Sequence, residues 1–231
     1  MKTFRIGRLL GFPIEINVSF LLLLGVIYLT AGGAAGVAAV LIAFGAVLLH
    51  ELGHAVVARR LGVGIAGIEL QFFGGAAKMM RLPDSARDEI LIAAAGPAVS
   101  FALAGAGFGL GALGVPVAGL FGVINLVIGA FNLVPALPMD GGRILRAALS
   151  LRLGFVRATH AAVRVSRVFS VLFGVTAALL GQLQLAVLAV ALWFMASAER
   201  RASVALGGYG DGYGVWRYGT GRIAELDTFP A

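Results

Sequence analysis

Two histidines and a glutamate stand in the middle of "AVLLHELGHAVVARR", residues 46–60, an oily run that ends in two arginines. On a helix of 3.6 residues per turn, positions i and i+4 lie about 40° apart around the axis. His50 and His54 therefore point the same way, one turn apart, as two imidazoles gripping one zinc ion must. Glu51 flanks the pair, placed to act as general base on a water at the metal. The bland alternative is polar residues that merely hydrogen-bond between helices. Each charged group inside a bilayer costs about 2.5–3.5 kcal/mol on insertion scales, which favours a working cluster over an incidental one.

A catalytic zinc usually has three protein ligands and one open position. His160 is the remaining histidine; it lies in "RATHAAVR" and reads as an ordinary surface residue. Asp140, in "FNLVPALPMDGGRILRAAL", is the better third ligand. Pro135 and Pro138 break the preceding helix and can turn Asp140 back towards the histidines. Gly141 and Gly142 permit a tight turn after it. Asp before Gly-Gly is also a common turn or cap, and only its pairing with HELGH favours ligation. Asn125 and Asn132 are seven residues apart and share a helix face. Asn132, beside the proline break, either holds a substrate carbonyl or oxyanion or hydrogen-bonds between helices; for Asn125 the second role fits better.

These residues need elements to position them. The chain has 231 residues, 60% hydrophobic and 13% charged. A soluble domain carries about a quarter charged residues, and apolar runs of about 20 span a bilayer. The expected fold is an all-α polytopic membrane protein. Six spans are expected: roughly Ile14 to Ala31, Ala34 to Ala58, Ile90 to Leu113, Val115 to Leu137, Val165 to Leu180 and Leu183 to Ala198. A small membrane-associated β element is expected between spans two and three, in "VGIAGIELQFFGGAAKMMRL", whose glycines interrupt any span. The arginines of residues 141–164 suggest helices lying along the membrane surface. "GAGFGLG" in span three pairs Gly105 with Gly109 and Gly107 with Gly111, a packing signal.

The turns "AGGAAG", "GALGVP" and "GQLQ" hold no Lys or Arg, so all 18 basic residues fall on the other side or at neighbouring helix ends. That side is expected to be cytoplasmic, with both termini there. His54 lies five residues before Arg59, roughly 8 Å, which sets the site inside the bilayer near the cytoplasmic face. The net charge of +7 is thereby assigned to lipid, and no nucleic-acid partner is expected. The absence of cysteine excludes disulfides, thiol catalysis and Cys-ligated metal. The N-terminal stretch resembles a signal peptide, but Glu15 and Asn17 interrupt it, and a retained first helix is expected. Residues 1–201 read as one membrane domain and 202–231, with "GGYGDGYGVWRYGTG", as a flexible Gly/Tyr-rich tail.

Taken together, "HELGH", "NLVPALPMDGG" from Asn132 to Gly142, "AAGPAVSF" and "FFGGAA" resemble the site-2 protease family of intramembrane zinc metalloproteases, closest to its six-span archaeal and bacterial branch. The resemblance covers about residues 1–200. It implies one Zn2+ per chain held by His50, His54 and Asp140, activation of water by Glu51, and substrate positioning by Asn132. Relatives in that branch often append a pair of CBS domains; the thirty residues after the last span are too few for one. The expected activity is zinc-dependent endopeptidase cleavage of single-span membrane substrates in the lipid bilayer of the cell membrane. The alternating "IAGIELQF" offers a strand edge to an unwound substrate. The alternative function is a metal-ion transporter or channel using the same His/Glu/Asp cluster. Glu69 and Glu199 are poor matches to a third-ligand role.

Overall fold

Alternation in the first seventeen residues builds a hairpin where the oily run was expected to start a span. In the computed structural model, which describes residues 3–30, 32–72 and 74–207, β1 (Thr3–Leu9) and β2 (Phe12–Asn17) pair antiparallel. Leu10 and Gly11 turn between them with positive φ. Phe12 and Ile14 point into the core and Glu15 points out towards Lys78, a period of two that only a strand satisfies. The first helix, α1 (Val18–Thr30), starts after Asn17, whose side-chain oxygen accepts from the Ser19 amide at 3.0 Å. Ile14–Asn17 were expected inside span one. They belong to the sheet instead.

Helix α2 (Gly33–Arg60) carries HELGH near its basic end. The β element expected within residues 63–82 follows as β3 (Ile65–Gln71) and β4 (Gly74–Met79), which pair as a hairpin. β3 pairs parallel with β2, which gives a four-stranded sheet in the order β1-β2-β3-β4. Half of the β element therefore comes from before α1 rather than from between the second and third apolar segments. Phe12, Ile14 and Ile68 pack on Leu52 and Ala55, so the sheet lies directly against the HELGH end of α2. β3 is an inner strand and "IAGIELQF" has no free edge; the edge beside α2 is β4.

Helix α3 (Ala86–Ala112) starts earlier than expected because Ser85 caps it, its Oγ accepting from Asp88 N at 3.1 Å. Helix α4 (Pro116–Asn132) ends where the proline-rich loop begins. Gly107 and Gly111 abut Gly122 and Gly119 across the α3–α4 contact, with no room for a Cβ at Gly107, whereas Gly105 and Gly109 face open space. Only one of the two glycine pairs is a packing surface. Helix α5 (Asp140–Leu153) follows, and Gly154, with φ +75°, breaks it from α6 (Phe155–Leu180). Residues 155–164 are thus the first turns of a long helix rather than a separate surface helix. Helix α7 (Leu183–Gly207) continues past the point where the tail was expected; residues 208–231, with the Gly/Tyr-rich stretch, lie outside the described residues.

Among the described residues, four helices are long and apolar enough to cross a membrane: α2, α3, α6 and α7 over Leu183–Val204. The apolar helices α1 and α4 have 13 and 17 residues. At 1.5 Å per residue they reach roughly 20 and 26 Å, short of a hydrocarbon core of about 30 Å. Among the described residues four helices rather than six have the length of a full span.

Candidate active site

Helix α2 sets the histidine pair as its period dictates. The two rings lie 4.8 Å apart, edge to face at 80°, and their Nε2 atoms are 3.1 Å apart. Asp140 enters from another part of the chain, 90 residues later than His50. Its Oδ2 lies 3.1 Å from His50 Nε2 and 3.1 Å from His54 Nε2. All three residues are buried, each no more than 6% exposed. A carboxylate oxygen of Glu51 completes a group within 4.8 Å of the histidine ligand atoms.

The outer nitrogens of both rings are held. His54 Nδ1–H donates to the Ile92 carbonyl at 2.6 Å, which leaves the lone pair of a neutral ring on Nε2. His50 Nδ1 bonds Ser100 Oγ at 2.9 Å. Two imidazole nitrogens and a carboxylate oxygen thus face one point, a donor set that suits a metal cation. A tetrahedral ion with bonds of about 2.0–2.1 Å spaces its ligand atoms roughly 3.3 Å apart, close to the sides of this triangle. The donor set fits zinc, and the oriented Nδ1 atoms are the support that metal-ligating histidines normally have.

Close approach of backbones makes this convergence possible. At Gly96 of α3 an added Cβ would run into both imidazoles, 2.7 Å from His50 Nε2. At Gly53 of α2 it would come within 2.8 Å of the Ala95 carbonyl oxygen. Gly141 and Gly142 lie in the first turn of α5 rather than in a turn after Asp140. They are required because the helix start presses on the backbone of residues 133–137, leaving no space for a side chain. That loop is tied to α6 by the Leu137 amide, which donates to Ser166 Oγ at 2.8 Å.

Beside the cluster is a cavity of about 630 Å³, lined by His50, Glu51, His54 and Asp140, by strand β4, by Asn132 and Arg143, and by the apolar residues Leu188, Leu192 and Met195 of α7. Glu51 Oε2 accepts from the Ala77 amide of β4 at 3.0 Å, which aims the carboxylate along the cavity wall. Asn132 lines the cavity and its Nδ2 donates to Ile128 O of its own helix at 2.9 Å, so its bond is not one between helices. Asn125 is fully buried and likewise bonds its own helix, at Phe121 O. His160 is half-buried on α6, apart from the cavity lining, and not the surface residue its neighbours suggested. Glu69 bonds Asn17 and Lys78, and Glu199 bonds Arg146, so neither is turned to the cluster.

Sequence reasoning assigned no role to Ser100, Gly96 or the Ile92 carbonyl. Their signal was the i, i+4 spacing of Gly96 and Ser100 inside "AAGPAVSF". It also missed the ion cluster of Glu89, Arg146 and Glu199. Arg146 Nε donates to Glu89 Oε1 at 3.2 Å and Nη1 to Glu199 Oε2 at 3.1 Å, joining α3, α5 and α7.

Apolar helices packed around a buried His–His–Asp cluster, with a glutamate alongside, define the class: a multi-pass, mainly helical membrane protein with a metalloenzyme-type site. Peptidase family M50 matches residues 38–117 and 115–173. The chain belongs to that family, the site-2 proteases. It is 34% identical over 206 residues to a zinc metalloprotease of Methanocaldococcus jannaschii, covering 85% of this chain and 60% of the relative. It is 33% identical over 132 residues to stage IV sporulation protein FB of Bacillus subtilis, covering 55% of this chain and 46% of that one. These shares mean that the chain spans about half the length of the curated relatives it matches. Among solved structures it is similar to the site-2 protease from Methanocaldococcus jannaschii, with TM-score 0.69 and 32% identity over 87% of this chain and 96% of that one.

Proposed function

We propose that the chain is a zinc-dependent intramembrane endopeptidase that hydrolyses peptide bonds within or near membrane-spanning segments of its substrates. The observation that carries this is the convergence of His50 Nε2, His54 Nε2 and Asp140 Oδ2 beside Glu51, in a cavity walled by an edge strand. The names of the relatives, zinc metalloprotease and site-2 protease, support it. The transporter alternative draws no support: the convergent polar groups form one cluster, and α6 and α7 add none to it.

In this reading His50, His54 and Asp140 hold the ion, and residues 1–201 form the working unit. Bound zinc supplies Lewis acidity towards the scissile carbonyl and acidifies water. Glu51 takes the proton of that water on its carboxylate and passes it to the leaving amine. The Ala77 amide keeps Glu51 in place without protonating it. A helical substrate hides its carbonyls in hydrogen bonds and must unwind before attack. Strand β4 offers the edge on which the unwound segment can add as a further strand. Asn132, which also lines the cavity, holds a substrate carbonyl. The substrates are single-span membrane proteins, and the short helices α1 and α4 complete six membrane segments with both termini cytoplasmic.

The test is cleavage of a panel of single-span peptides by purified protein, with Glu51→Gln alongside and zinc measured in both. Cleavage that the mutant loses while keeping its zinc supports the reading. Bound zinc with no peptide cut by the unaltered protein counts against it.

A further inference from the structure

Arg143 is a charge that the fold itself does not use. It lies in the first turn of α5, its amide donating to the Met139 carbonyl at 3.1 Å. A cation at a helix N-terminus opposes the helix dipole. The other arginines around the site are engaged: Arg59 caps the Leu10 carbonyl and covers the Phe12 ring, and Arg146 bonds Glu89 and Glu199. Among the described residues, no carboxylate lies within ion-pair distance of the Arg143 guanidinium; its contact is Nη2 to the Met79 sulfur at 4.0 Å. The side chain is nonetheless half-buried and lines the same cavity as the cluster. A partly desolvated, unpaired guanidinium that opposes its own helix is kept for something outside the chain.

Its position says what. Met79 is the last residue of edge strand β4, so the guanidinium stands where a peptide added to β4 runs past Asp140. Side chains of such a strand alternate in direction, and one register directs a side chain at Arg143. The fork of a guanidinium matches a carboxylate in two parallel hydrogen bonds, strongest where water is scarce. Among the described residues that line the cavity, Arg143 is the one arginine or lysine. We propose that Arg143 is a specificity-determining residue that pairs with an acidic side chain of the substrate flanking the scissile bond. This rests on the endopeptidase reading and names a substrate feature for it.

The test reads binding, so that it does not depend on turnover. Zinc-loaded Glu51→Gln protein in detergent is titrated with fluorescent single-span peptides, termini blocked, in which Glu or Gln is scanned along the flank of the cleavage site. One further Gln peptide ends in a free carboxylate. At one register the Glu peptide is expected to bind about tenfold tighter than its Gln twin, the effect of one desolvated charge pair. The added Arg143→Ala change brings that ratio to about one, and Arg143→Glu shifts the preference to a Lys peptide. A ratio near one at every register overturns the proposal. So does a ratio that survives Arg143→Ala, since a merely structural arginine weakens both peptides alike. Preference for the free terminus alone also overturns it. Turnover of the Gln peptide by unaltered protein is followed in parallel. Cleavage without a charge preference sinks only the Arg143 role, and charge-dependent binding without any cleavage sinks only the endopeptidase reading.

Discussion

The two walls of the cavity are built on different principles. One is the crossing of α2 over α3 and the start of α5. There, glycines bring backbones into contact, and every ring nitrogen that faces away from the cluster has a named partner. The other is α7, which presents Leu188, Leu192 and Met195 and is joined to α6 by apolar packing and the Ser170 hydroxyl on the Ala189 carbonyl. The first wall must hold three donor atoms to within a fraction of an ångström; the second supplies apolar surface. Directional bonds and close backbone contact fix position, whereas apolar side chains fill space and tolerate exchange. The difference predicts a steep contrast between substitutions on the two walls.

The sharpest break is Gly96→Val. The added side chain occupies the space of the two imidazoles, and zinc content of the purified protein should fall to background even if the helices still assemble. An intact zinc content would mean that α3 can retreat from α2 and that this wall is not rigid. Next comes Glu89→Ala, which removes the carboxylate that buried Arg146 meets through both Nε and Nη2. Stranding a buried charge costs about 3–5 kcal/mol, read as a loss of unfolding stability in detergent. Ser100→Ala removes the hydrogen-bond partner of His50 Nδ1 and should weaken zinc binding about 10–100-fold, measured by competition with a chelator. Leu192→Ala on the apolar wall should leave zinc affinity within about twofold, because it alters filling and not position. If it matched Ser100→Ala, the contrast between the walls would fail.

The smallest effect lies in the sheet. Hydrogen bonds from Lys78 and then Asn17 hold the Glu69 carboxyl below its ordinary range. Its contribution is therefore complete above the unfolded carboxyl value, about pH 4.3, and is lost as pH falls through the lower folded one. Glu15 and then Glu69 hold Lys78 above its usual range, so that side of the network is lost only as pH rises through the raised value. Such pairs contribute about 0–1 kcal/mol, and Lys78→Gln should flatten the acid limb of the stability profile by no more than that.

Local rules made a good part of this protein legible. Apolar length and the tripeptide spacing inside HELGH placed two imidazoles on one helix face before any fold was known. The proline break marked Asp140 as a residue that could turn back. The β2 strand was missed because Ile14 and Ile16 sit at the start of a continuous apolar run, where a period of two is hidden in hydrophobicity. Its partner, β3, lies about fifty residues away, and no local pattern announces a parallel pairing of that separation. Arg143 drew no attention in sequence because one arginine among five in residues 141–164 carries no signal of where its head will lie.

What the chain determined by itself is the set of short-range facts: an i, i+4 histidine pair with its glutamate, apolar helices and a break before Asp140. These follow from helix period, transfer free energy and the restricted dihedrals of proline, all of which act within a few residues. The tertiary structure decided which residues meet across 26 to 90 positions: Ser100 with His50, Asp140 with both histidines, and the Ala77 amide of an edge strand with Glu51. Those meetings depend on how closely two backbones approach at Gly53, Gly96 and Gly142. Close approach is a property of two surfaces together, and neither segment carries it alone.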